Sequence, residues 1–173
     1  DLDTEAARLM EQQQAYQEAV ELIDGGFCVF NSDDNVVACN TMMAKATGHD
    51  PEHFIGKSRK FLAAEFLTKI EIFDGEPTEQ TPAWAERIFD RISDPSGMGA
   101  ELKMHAGYWV RATFAPTSEG GRVILITNIH GQKKLEQESR ESAAQFRMLV
   151  ESHPLPVILV DMESGRMLYE SPA

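Results

Sequence analysis

The chain has 173 residues, with 16 Lys and Arg against 28 Asp and Glu, a formal charge of −12. That deficit removes the attraction that supplies most nucleic-acid affinity and any pull toward anionic membranes, while a 42% apolar fraction is ample for a core. No apolar run approaches the roughly 18 residues of a membrane span, no basic-then-apolar leader is visible, and two cysteines are too few for a disulfide framework.

The expectation is therefore a soluble, cytoplasmic protein with no nucleic-acid and no membrane partner. From the start, Leu2, Ala6, Leu9, Gln13, Tyr16, Val20 and Ile23 alternate spacings of four and three, the seam of a coiled coil. This predicts a helix over residues 1–24 that pairs with a second copy of the chain. Asp24-Gly25-Gly26 ends it. Strands are predicted at 27–31 and 36–40, then short helices from Thr41 to about Phe73, one opened by Asp50-Pro51-Glu52. Gly75-Glu76-Pro77-Thr78 reads as a loop. Thr81-Pro82 opens a helix with the stripe Trp84, Ile88, Phe89 and Ile92, closed by Asp94-Pro95-Ser96-Gly97. Three strands follow at 99–105, 108–115 and 122–129, and a second helix runs over 132–152. Its seam of Leu135, Ser139, Ser142, Phe146 and Leu149 is weakened by two serines.

An internal repeat organises these elements. At an offset of 130, Phe27-Cys28-Val29-Phe30-Asn31 falls on Val157-Ile158-Leu159-Val160-Asp161. Without a gap, Asn35 falls on Gly165 and Val36-Val37-Ala38 on Arg166-Met167-Leu168. Upstream, Tyr16 meets Phe146, Val20 meets Val150 and Glu21 meets Glu151. Each unit is a helix feeding a β-hairpin, and the second stops short of a full period. The expectation is a piece of a longer tandem protein, with domains at 25–131 and, truncated, at 153–173, joined by the helix over 132–152. A lone hairpin is marginally stable, so the second is expected to dock on another surface.

The residues carry a family resemblance. Asp33-Asp34-Asn35-Val36-Val37-Ala38-Cys39-Asn40 resembles the first hairpin of the PAS domain family, with its Asn before the first inner helix. Thr47-Gly48-His49-Asp50-Pro51-Glu52-His53-Phe54-Ile55-Gly56-Lys57 is similar to the family's T-G-Y-x-x-E-E-x-I-G-K segment. Tyr108-Trp109-Val110-Arg111, Pro116, Gly120-Gly121 and Thr127-Asn128-Ile129 resemble its W-V-R…P…G-G…D-I-T ending, and Gln132-Lys133-Lys134-Leu135-Glu136 the charged helix start after it. Asn128 stands at the motif's Asp and His130 at its Thr. Residues 59–81 match no segment of the family. The resemblance implies an α+β PAS fold: an antiparallel five-stranded sheet around short inner helices, flanked by coiled-coil-type helices.

Chemistry-bearing residues read mostly as structure. His49-x-x-x-His53 with Asp50 and Glu52 has metal-pair spacing, but the helix start and the family segment account for it, and no metal is assigned. The helix of Trp84 to Ile92 lacks the His that haem-binding relatives present, and the flavin photosensors' N-C-R-F-L-Q segment is absent; haem and flavin are disfavoured. Cys28 and Cys39 lie on strands and read as small core hydrophobes. No phosphate loop, nucleophile elbow or other catalytic constellation is found.

The resemblance allows a small cavity for a small-molecule ligand. Its candidate lining is Val29, Met43, Phe54, Trp84, Ile88, Phe89, Val110, Phe114, Leu125 and Thr127, set against a filled core. Trp109, Arg111, Asn128, His130, Leu135, Phe146 and Leu149 are candidates for passing a signal to the exit helix. The reading is a bacterial PAS sensory module, homodimeric through its flanking helices and not itself an enzyme, acting on an output domain downstream. A ligandless docking scaffold is the alternative. So is the N-terminal part of a histidine kinase or a diguanylate, adenylate or guanylate cyclase.

Overall fold

The computed structural model describes residues 2–92, 99–153 and 155–170, so the expected turn at 94–97 lies outside the described residues. The chain divides between His130 and Gly131 into two compact units.

In the first unit, helix α1 (Leu2–Glu21) leads into strands β1 (Gly26–Phe30) and β2 (Val36–Cys39). The helix stops at Glu21, so Ile23, expected as the last seam residue, lies in the turn beyond it. Gly25 follows at φ +154°, where a Cβ would lie 2.5 Å from the Ile126 carbonyl oxygen, so only glycine lets the chain enter the sheet this closely. β1 and β2 pair antiparallel with a bulge between Val29 and Phe30. Asn31 closes their turn: its Oδ1 accepts from the N–H groups of Asp33 and Asn35, both at 3.0 Å. The left-handed residue of that turn is Asp34 (φ 64°).

Asn40 comes next and is 1% exposed. Its Oδ1 accepts from the N–H of Phe27 and, as N-cap of helix α2 (Thr41–Thr47), from that of Met43, each at 2.9 Å. Its amide donates to the Gly25 carbonyl at 2.8 Å and to that of Val20 at 3.4 Å. Beside it, Glu21 accepts from the Thr41 N–H and hydroxyl. The end of α1, the start of β1 and the start of α2 are thus joined by one buried side chain.

The helix expected at Asp50 is a single 3₁₀ turn (Pro51–His53) whose Asp50 side chain makes no cap bond. The chain from Gly56 to Ser58 then borders β2: Val36 donates to the Lys57 carbonyl and Gly56 to that of Val36, both at 2.8 Å. Helix α3 (Arg59–Leu67) is capped by Ser58. Its first residue, Arg59, is buried; its Nε donates to Asp34 Oδ1 at 2.7 Å and its guanidinium lies 4.3 Å from the Phe89 ring centre.

Residues 70–77 depart from expectation. Ile70–Phe73 is strand β3, not helix, and Glu76–Pro77 is a short strand β4. Between them Asp74 (φ 47°) and Gly75 (φ 88°) make the left-handed pair of a type I′ hairpin turn. Helix α4 (Pro82–Ile92) follows, then strands β5 (Ala100–Met104), β6 (Trp109–Pro116) and β7 (Arg122–Asn128). The order across the sheet is β2-β1-β7-β6-β5-β3-β4, so the five expected strands are joined by two at one edge. Cys28, Phe30, Ala100, Leu102, Met104, Val110, Ala112, Ile124 and Ile126 bury one sheet face beneath α2, α3 and α4.

The second unit holds helix α5 (His130–Glu151) from its second residue onward, and the hairpin of β8 (Ile158–Val160) and β9 (Met167–Glu170). This hairpin repeats the first in detail. Its bulge falls between Leu159 and Val160, Asp161 Oδ1 accepts from the N–H groups of Glu163 and Ser164, and Gly165 (φ 66°) takes the left-handed place of Asp34. The offset is 130 up to the turn and 131 after it: Val29 pairs with Ala38 as Leu159 pairs with Tyr169. The gapless alignment is thereby corrected by one turn residue, which places Asp34, not Asn35, opposite Gly165. The large apolar residues of this hairpin remain exposed, Tyr169 excepted, whose ring meets Phe146 edge-on.

Replacing Asn40 removes one acceptor of two backbone donors and leaves them buried. Asn40→Ala is expected to cost about 2–4 kcal/mol, read as a lower urea midpoint with unchanged slope.

Candidate functional site

The strand alternation decides which candidate lining residues share a space. In β1 the core-facing residues are Gly26, Cys28 and Phe30, so Val29 lies on the opposite face with Phe27. In β7 they are Ile124 and Ile126, which puts Leu125 and Thr127 on that same outer face. Both strands are apolar at consecutive positions, so their pattern carries the period but not its phase. Met43, Phe54, Trp84, Ile88, Val110 and the half-buried Phe114 do converge inside, whereas Phe89 is half-buried against Arg59.

The interior they form is nearly full. The void between α3 and the sheet, bordered by Phe30, Met43, Leu62, Phe66, Phe114 and Ile124, holds about 30 Å³, barely the room for one water. A larger cavity of about 500 Å³ opens at one end of the fold, between α2 and the ends of β6 and β7. Met42, Met43, Ala46, Phe66, Tyr108, Val110 and Ile126 give it apolar walls; Asp24, Lys45, Thr127 and Asn128 give it polar ones. Of the expected lining only Met43, Val110 and Thr127 border it. Tyr108, Lys45 and Asp24 were missed because they belong to turns and a helix end, where periodicity says little.

The cavity wall runs directly into the exit of the unit. Ile126, Thr127 and Asn128 end β7; Ile129 donates to the Trp109 carbonyl at 2.9 Å, and Asn128 Oδ1 accepts the His130 N–H at 2.9 Å, at the first residue of α5. Arg111, on the outer face, donates to Glu101 Oε1 at 2.9 Å. These four transmission candidates thus cluster in space. Leu135, Phe146 and Leu149 lie on α5, each exposed.

The seam of α1 divides. Leu9 (57% exposed) and Tyr16 (49%) face solvent with Ala6 and Gln13, whereas Val20 is buried in its own unit.

His49 and His53 stack in parallel, ring centres 3.8 Å apart, and His49 Nε2 lies 3.5 Å from Glu65. Among the described residues no three His, Cys, Asp or Glu side chains converge as a metal site, and no helix is long and apolar enough to cross a membrane.

An antiparallel sheet packed on one face against short helices is the architecture the residues of the first unit form. The chain belongs to the PAS family: the model of the PAS fold matches residues 20–137. PAS domains are sensory and regulatory modules of multidomain signalling proteins. A curated relative, protein CrtJ of Rhodobacter capsulatus, is 23% identical over 157 residues, covering 75% of this chain. The chain spans about a third (32%) of the length of CrtJ. Among solved structures, the PAS domain of Bordetella pertussis BvgS is similar at 14% identity and a TM-score of 0.47, over 81% of this chain and 98% of that one. The PAS domain of an HTR-like protein from Haloarcula marismortui is similar at 14% and 0.46, over 73% and 99%.

Ala46 sits on the cavity wall, where a larger side chain would fill space rather than disturb the core. Ala46→Phe is expected to weaken binding of an environment-sensitive apolar dye about tenfold, with thermal unfolding displaced by no more than a few degrees.

Proposed function

We propose that this chain is the sensory part of a cytoplasmic bacterial signalling protein, acting as a homodimer. The observation that carries the reading is that the residues walling the 500 Å³ cavity are the ones that hold the start of α5. A small molecule with an apolar body and one or two polar groups suits the lining of methionine, aromatic and aliphatic residues with Asp24, Lys45 and Asn128 at the rim. Bound there, it would bear on Thr127 and Asn128 and alter the hold of Asn128 on His130. No haem, flavin or metal enters this reading.

Dimerisation supplies the lever. Leu9 and Tyr16 on α1 and Leu135, Phe146 and Leu149 on α5 are exposed apolar residues at heptad spacing, a pattern suited to a second copy. A change at the cap would alter how α5 pairs with its mate. The change would then pass through the second unit, read as the start of another PAS domain, to an output domain such as a histidine kinase or a nucleotide cyclase. A second reading, a ligandless dimerisation scaffold, is favoured by the nearly filled interior, with its void of about 30 Å³.

Native mass spectrometry of the purified chain tests both. A dimer carrying extra mass supports the sensor, a bare dimer transfers support to the scaffold, and a bare monomer overturns both. Leu9→Lys with Tyr16→Lys is expected to convert dimer to monomer, a weakening of at least about a hundredfold in sedimentation. In the intact protein, Asn128→Asp with His130→Thr should change output; an unchanged output and dimer affinity would dismiss the cap as the transmission point.

A further inference from the structure

Two thiols that sequence spacing leaves eleven positions apart meet inside the fold. Cys28 and Cys39 are direct cross-strand partners in the β1–β2 ladder. One step along that ladder, Asn40 donates to the Phe27 carbonyl at 3.0 Å. Antiparallel pairs alternate, so Cys28 and Cys39 form a non-hydrogen-bonded pair, whose Cα atoms stand about 4.5 Å apart. That lies within the roughly 4.4–6.8 Å that a disulfide spans. Both side chains point to the same buried face, and the Cys39 thiol donates to the Asn40 carbonyl at 3.6 Å.

The two differ in access. Cys28 is 0% exposed, while Cys39 is 8% exposed and forms part of the floor of a surface groove of about 900 Å³ between α1, β2 and the 3₁₀ turn. They differ in acidity in the same sense. The adjoining Cys39 thiol, with burial, pushes the Cys28 thiol up. The adjoining Cys28 thiol holds Cys39 below the usual thiol range, against desolvation and the charge of Glu21. The groove is also acidic, lined by Glu18, Glu21, Asp50 and Glu52. Such a mouth repels anionic oxidants and admits small neutral ones.

We propose that Cys28 and Cys39 are a peroxide-driven dithiol–disulfide switch in the first hairpin, with Cys39 oxidised first and Cys28 resolving. The Cys39 thiolate sulfur attacks one peroxide oxygen; the O–O bond breaks, and the departing hydroxide takes the proton released by Cys39 and leaves as water. The Cys28 sulfur then attacks the sulfenic sulfur. The S–O bond breaks, the disulfide forms, and the second water carries off the Cys28 proton. Two thiols lose two electrons and one peroxide becomes two waters. The switch does not depend on a ligand in the cavity. Its cross-link adjoins Asn40, the side chain that ties α1 to the sheet.

Hydrogen peroxide added to the purified chain, read by intact mass and peptide mapping, decides the matter. The expected product is a chain lighter by two hydrogens, linked within itself from Cys28 to Cys39 and restored by dithiothreitol. Cys28→Ala should instead stop at a Cys39 sulfenic acid that dimedone captures, and Cys39→Ala should leave Cys28 unmodified over the same time. No loss of mass in the wild-type chain, a disulfide only between chains, or equal oxidation of Cys39→Ala would overturn the proposal. The wild-type measurement stands even where a variant fails to fold. Glutathione disulfide, an anionic oxidant, should react more slowly than peroxide, and an equal or faster rate would remove the neutral peroxide as the signal.

Discussion

One buried amide sets the geometry of the first unit. Asn40 supplies an acceptor to Phe27 and Met43 and a donor to Gly25, with a longer contact to Val20. Four backbone groups from three elements would otherwise need separate partners in a place without water, at about 1–3 kcal/mol for each one left unpaired. Only an amide can do this: a carboxylate lacks the donor, and an aliphatic residue lacks both. The direction in which α1 leaves the sheet is therefore a property of a side chain on the other end of the hairpin. The N-terminal helix cannot rotate without loosening the first strand.

The start of α5, beside the same end of the sheet, is held more lightly. Asn128 and His130 are exposed, and a single side-chain bond joins them. A bond in water contributes little net stability, because the solvent replaces it at small cost. One helix is thus held by a buried four-way joint, and the other starts at an exposed side-chain bond backed by the Ile129 N–H on the Trp109 carbonyl. The cavity of about 500 Å³ borders both, with Gly25, Gly26 and Met43 on one wall and Thr127 and Asn128 on another.

Much of this architecture is legible in the residues. The order of strands and inner helices follows from alternation, caps and turns, and the repeat shows through the apolar first strand of each hairpin. Three things are not legible, each for a physical reason. A run such as Phe27-Cys28-Val29-Phe30 is apolar at every position, so alternation cannot say which half faces inward. In the fold Gly26, Cys28 and Phe30 are the inward set. The gapless repeat misses the extra turn residue because a turn absorbs an insertion without slipping the pairing on either side. The β3–β4 hairpin did leave a sign, since Asp74-Gly75 is the strongest short-range turn signal. It was masked by the helical residues before it and by Pro77 after it. Asn40, by contrast, is marked by the family's first hairpin, but its four partners are visible only once the chain is folded.

The borders of the seven-stranded sheet carry a further consequence. On one side β2 is bonded to the Gly56–Lys57 segment; on the other, β4 is two residues long and ends in Pro77, which has no N–H to offer. An open strand edge is a template on which another chain can crystallise its own backbone, and both templates are blunted here. Copies of this unit are thereby steered away from endless edge-to-edge growth. Among the described residues the β8–β9 ribbon pairs with no further strand and its apolar side chains are largely exposed, so neither device blunts its edges.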